Sequence, residues 1–195
     1  MIKASSKKIT RYMVKRKTIN CEDFELYQYA YETMISTIVN ISIILVIGAI
    51  LNRFTETLLF LVFYCPIRQF SGGFHAENYF KCFLVFITLY LCNMYLVNYI
   101  IIMKANGIMI VITLISYVGI ILLSPQEHRH NPLTEEERKR YKRVVIYIIT
   151  FLLALSISGF NLSITQEYAM YGASVLVCIF TMQILGSIKK GVTNL

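Results

Sequence analysis

Residues 81–103 form an apolar run interrupted only by Asn93 and Asn98. A bilayer core needs about 20 such residues per helical crossing. The run is therefore long enough to span, and several more like it follow along the chain. In water they would all need covering, and 195 residues that are 56% hydrophobic and 15% charged leave little polar surface to do it. Globular domains sit near about 45–50% and about 25%. A mean hydropathy of +0.59 excludes intrinsic disorder. The chain reads as an all-α, polytopic membrane protein.

Six spans follow from the apolar pattern: 34–51, 57–67, 81–103, 108–123, 144–160 and 169–188. The amphipathic approach 21–33 extends the first helix. The second is short and expected to stop at Pro66, because proline lacks the amide that continues a helix. Residues 104–107 supply a tight turn ending in Gly107, and the polar segment 124–143 reads as a loop. The whole of 1–195 is expected to be one integral-membrane domain. Within residues 1–20, Ile2, Ile9, Tyr12 and Met13 share about a third of a helical circumference at about 100° per residue. This start reads either as an amphipathic helix lying in the interface or as a basic tail that only sets topology.

The net charge of +8 would suggest nucleic acid in a soluble protein. Here the charge is segregated beside apolar runs, which points to topology and anionic lipid headgroups instead. With the N-terminus inside, the cytoplasmic segments carry seventeen of the nineteen Lys and Arg residues, leaving only Arg53 and Lys104 outside. The N-terminus, the 65–82 region, the 124–143 loop and the C-terminus are thus expected in the cytoplasm of a multi-pass cell-membrane protein. The basic start meets Glu22, Asp23 and Glu25 before any apolar stretch, unlike a removable signal peptide.

Chemistry is expected where polar residues meet the membrane without a structural reason. Residues 65–82 fit: Cys65 and Pro66, Arg68, the pair Gly72 and Gly73, then His75, Glu77 and Cys82. Imidazole can take a thiol proton near neutral pH, giving a thiolate that attacks a carbonyl. On one straight helix, His75 and Cys82 would share a face yet sit about 10.5 Å apart along the axis. The helix is therefore expected to begin after His75, with the glycine turn folding the imidazole back. Backbone amides freed at Gly72 and Gly73 are candidates for oxyanion stabilisation. His128 and His130 lie in a hydrophilic loop. A metal site from His75, Glu77 and Cys82 matches no recognised spacing, and neither metal nor cofactor is expected. The five cysteines show no C-x-x-C pair, so a disulfide framework is not expected.

Arg68, the Ser-Gly-Gly-Phe-His run ending at His75, and Cys82 seven places on resemble the core motif of the accessory gene regulator protein B (AgrB) family. The basic start, the six spans and the segment from Asn131 to Arg143 extend the resemblance over most of the chain. The family are membrane cysteine endopeptidases that process quorum-sensing propeptides. The resemblance implies Cys82 as nucleophile, His75 as general base, and Arg68 and Gly73 as supporting positions. It also implies a propeptide substrate with an amphipathic N-terminal helix and an acidic C-terminal tail, a thioester intermediate, thiolactone or lactone closure, and a homodimer. The rival readings are a non-enzymatic transporter or lipid-binding protein with a polar path at Arg68, His75 and Glu77, and a cysteine that carries an acyl group for lipid modification.

The charge count makes a direct prediction. In a cysteine-free variant, single cysteines at Asn106 and Ser163 label with impermeant reagent in intact cells, and one at Thr134 does not. Labelling at Thr134 would overturn the six-span layout.

Overall fold

A computed structural model describes residues 2–74, 79–126, 133–162 and 164–193. All regular structure among them is helical: α1 (Ile2–Lys15), α2 (Phe24–Ile50), α3 (Phe54–Ser71), α4 (Tyr79–Ile102), α5 (Asn106–Leu123), α6 (Glu135–Phe160) and α7 (Gln166–Thr193). Five helices, α2 and α4 to α7, are long and apolar enough to cross a membrane. The sixth, α3, has 18 residues and carries Glu56, Arg68 and Gln69, which lower its hydropathy. The architecture is the expected all-α one, with about six spans.

The chain divides into two compact units, residues 1–50 and 51–195. In the first, α1 packs on α2 through small polar side chains. Ser6 and Thr10 are fully buried. The Ser6 hydroxyl donates to Glu32 Oε1 at 3.4 Å, and Gln28 Nε2 donates to the same oxygen at 2.9 Å. Ile9 and Tyr12 remain exposed on α1. Of the approach 21–33, residues 24–33 continue into the first span as one helix, while 21–23 form the turn that precedes it.

In the second unit α7 is the central post, with 72% of its apolar stretch buried against 28% or less for α4, α5 and α6. Small residues permit this close approach in a bundle without a hydrophobic drive between helices. A Cβ on Gly172 would lie 3.2 Å from Ser156 Oγ, and the place of one on Gly119 is taken by the Phe180 ring. Within this bundle α3 buries the stripe Thr57, Phe60, Tyr64, Ile67 and Ser71. That stripe has the three-to-four spacing of one helical face.

Three expectations need correction. Pro66 does not stop the second helix, which runs five residues further to Ser71. Proline removes one amide, whereas Ile67 and Ser71 beyond it are fully buried, so the last turn is held by packing. The 124–143 segment is not all loop, because α6 starts at Glu135. Thr134 Oγ1 accepts from the Glu137 amide at 3.3 Å and the Thr134 amide donates to Glu137 Oε2 at 2.9 Å, a reciprocal cap that starts a helix early. In the 104–107 turn, Lys104 takes the left-handed backbone (φ 52) and Gly107 is already helical.

Arg53, one of the two basic residues outside the charge count, closes the far end of α3. Its Nη1 donates to Glu56 at 3.0 Å and to Glu167 of α7 at 2.6 Å, and Nη2 reaches Asn98 of α4 at 3.5 Å. Glu56, and after it Glu167, hold the guanidinium proton more firmly than usual. Glu56 is largely buried while Arg53 is about one-third exposed, so the pairing is partly screened. Arg53→Gln is expected to destabilise the bundle by roughly 1–3 kcal/mol, less than the full cost of orphaning a buried charge. Thermal unfolding in detergent micelles measures this, and an unchanged midpoint would contradict it.

Candidate functional site

The site is built at the opposite end of α3. Ile67 and Ser71 bury on either side of Arg68, which fixes the direction of the arginine stem. The chain then leaves the helix through Gly72 (φ +69) and Gly73 (φ +127), backbone angles that side chains with a Cβ resist. The Arg68 guanidinium turns back along this exit. Nη1 donates to the Gly72 carbonyl and Nη2 to the Phe74 carbonyl. A planar fork reaches two acceptors at once, which a lysine ammonium does not do with fixed geometry. Gly73 is required twice over, since a Cβ there would run into Arg68 Nη1 and lie 3.1 Å from the Met182 carbonyl. The Phe74 amide donates to that same Met182 carbonyl of α7 at 2.8 Å. Lys189 Nζ stands 5.4 Å from the centre of the Phe74 ring.

Cys82 occupies the first turn of α4 as described from Tyr79, and the expected helix start just after His75 lies outside the described residues. Its register against α3 follows from stacked aromatics. Phe60 meets Tyr90 with ring centres 5.6 Å apart, and Tyr64 meets Phe86 at 5.3 Å. Each step is one turn along both antiparallel helices, four residues on each. Cys82 is half-buried.

The structure thus joins Arg68 to the Gly72–Phe74 backbone and places Cys82 in the first turn of α4. His75 and Glu77 lie outside the described residues, as do His128 and His130. One expectation changes: the Gly72 amide is not freed by the glycine break, because it donates to the Arg68 carbonyl at 3.3 Å, and the Phe74 amide is also committed. Residues of α7 and the loop after α5, namely Met182, Gly186, Gln183 and Gln126, border the exit segment and were not singled out in the sequence. Gln183, polar within an apolar run, was the available signal.

The surroundings are basic. Tyr141 packs edge-on against Phe70 of α3 with ring centres 5.4 Å apart, bringing the Arg138-to-Arg143 turn of α6 to this end of the bundle. Arg68 and Lys189 add positive charge, and Glu135, Glu136 and Glu137 offset part of it at the start of α6.

Sequence comparison gives the same direction throughout. The family model described as Accessory gene regulator B matches residues 6–186. An AgrB-like protein of Clostridium perfringens (strain SM101 / Type A) is 30% identical over 192 residues, covering 95% of this chain and 87% of that one. A second AgrB-like protein, from Clostridium perfringens (strain 13 / Type A), is 27% identical, covering 92% and 87%. Accessory gene regulator protein B of Staphylococcus aureus (strain MW2) is 27% identical, covering 74% and 77%. No solved structure matches the chain.

The exit geometry predicts that Gly73→Ala and Arg68→Lys each raise amide deuterium exchange at Phe74 by at least about tenfold, equivalent to ~1.4 kcal/mol of lost protection. Gly107→Ala, whose Cβ would meet nothing within 4 Å, leaves exchange unchanged. Unaltered protection at Phe74 in both variants would refute the clamp.

Proposed function

Because the chain belongs to the accessory gene regulator B family, we propose that it is a membrane cysteine endopeptidase of a quorum-sensing propeptide. Cys82 is the nucleophile and His75 its general base. His75 takes the thiol proton and the Cys82 sulfur attacks the scissile carbonyl. The carbon–nitrogen bond then breaks, the tail leaves as an amine carrying the proton returned by the imidazolium, and the rest of the peptide stays on Cys82 as a thioester. A cysteine thiol within the peptide gives its proton to His75 and attacks that thioester, closing a thiolactone ring and releasing the Cys82 thiolate; a serine in its place gives a lactone. No electron changes hands at any step.

The observation that carries the reading is the Arg68 fork on the Gly72 and Phe74 carbonyls. It fixes the backbone immediately before His75, while α4 carries Cys82 in its first turn. Holding two reacting groups in register is worth many kilocalories in such a reaction. Arg68, Lys81 and the Arg138-to-Arg143 turn supply positive charge suited to an acidic substrate tail, which on the charge count is presented from the cytoplasm. Cys21 and Cys92 are exposed, Cys65 is half-buried, and Cys178 is buried in α7, where a thiol behaves as a small apolar group.

In liposomes with a matched propeptide, Cys82→Ala is expected to lower cleavage by at least about a thousandfold while insertion is kept. Alanine at Cys21, Cys65, Cys92 or Cys178 retains activity. Full cleavage by the Cys82→Ala protein would remove the assignment.

A further inference from the structure

Ser71 contributes the last residue of α3, and its carbonyl lies in an apolar bundle where the final acceptors of a helix need donors from elsewhere. Two glutamines outside the motif provide them, one through its main-chain amide and one through its side chain. The Gln126 main-chain N–H, from the loop after α5, donates to the Ser71 carbonyl at 2.9 Å, and Gln183 Nε2 of α7 donates to it at 3.4 Å. Gln183 Nε2 also reaches Ser124 Oγ at 2.7 Å. Gln126 Nε2 completes the knot by donating to the Gln183 carbonyl at 2.9 Å and to Ser187 Oγ at 2.8 Å. Close by, Gly186 leaves the space through which the exit segment passes. A Cβ there would stand 2.8 Å from both the Gly73 carbonyl carbon and the Phe74 nitrogen.

Stability alone does not account for this arrangement. Gln183 is fully buried, and the Oε1 atoms of both Gln183 and Gln126 have no hydrogen-bond partner among the described residues. An unsatisfied buried carbonyl costs roughly 1–3 kcal/mol, which a leucine at the same place avoids. Polar residues kept at a cost mark places where geometry is being specified.

We propose that Gln183, Gly186 and Gln126 are positioning residues that form the seat for residues 71–74. The seat sets where the chain enters His75, and through it the pairing of His75 with Cys82. The proposal rests on the peptidase reading above. Arg68 holds the exit segment from the α3 side and the seat holds it from α7, so neither alone fixes the backbone. The residues act through His75 and do not touch substrate.

The test uses the full-length protein in liposomes with Cys82 as its sole cysteine, and iodoacetamide at neutral pH as the probe. A correctly placed imidazole speeds alkylation of Cys82, so His75→Gln sets the slow limit. Gln183→Leu and Gly186→Ala are expected to slow alkylation at least about tenfold, toward that limit, in protein that remains inserted and cooperatively folded. Ile184→Ala, on an exposed position of α7, alkylates like the parent. Gln183→Asn retains a buried amide but draws it back from Ser71, and is expected to be slow as well should the leucine variant fail to accumulate. Parent-like alkylation in folded Gln183→Asn and Gly186→Ala overturns the seat while leaving the peptidase reading intact. Equal rates in the parent and His75→Gln instead defeat the peptidase reading, and the seat falls with it.

Discussion

A carbonyl oxygen released at the end of a helix inside an apolar bundle must find a donor, and the Arg68 guanidinium supplies one to each of two such groups, Gly72 and Phe74. Much of the surrounding architecture follows from that fork. Gly73 has no Cβ because the guanidinium passes through the space one would occupy. The helix continues past Pro66 so that Arg68 lies in its last turn, with Ile67 and Ser71 buried to either side. Phe74, its carbonyl held from one side, turns its amide to Met182 on the other.

Seen from α3, the bundle is a helix fastened at both ends by arginine and fixed in register along its middle by aromatic rings. Arg53 ties the first turn to Glu167 of α7 and Asn98 of α4. Phe60, Tyr64, Phe86 and Tyr90 set the spacing of α3 against α4, and the Thr57 and Tyr90 hydroxyls meet at 2.6 Å. The charges that lower the hydropathy of α3 are therefore the groups that position it. A more hydrophobic α3 would cross a bilayer readily, but it would present no fork to the exit segment.

Apolar run length made the helices legible in the sequence, because it reflects the one-dimensional physics of transfer into a membrane. The candidate site was legible as a cluster: Arg68, Gly73, His75 and Cys82 fall within fifteen residues. What escaped was long-range or sterically subtle. The persistence of α3 through Pro66 depends on burial of residues beyond it, and the early start of α6 on a reciprocal Thr134–Glu137 cap inside what reads as a charged loop. Gln183 and Gly186 lie more than a hundred residues from Ser71, and spacing along the chain gives no hint of that encounter. Arg53 looked like an exception to the charge rule until its partners in α3, α4 and α7 appeared.

The central claim, that Cys82 carries the peptide covalently, is tested most directly by intact-mass measurement on the protein in liposomes. The propeptide offered should lack its ring-closing nucleophile, so that the intermediate has no rapid onward reaction. The account predicts a mass increase equal to the peptide without its tail, located on Cys82 and removed by hydroxylamine. Release of the tail with no adduct on Cys82, or an adduct on another cysteine, would contradict it.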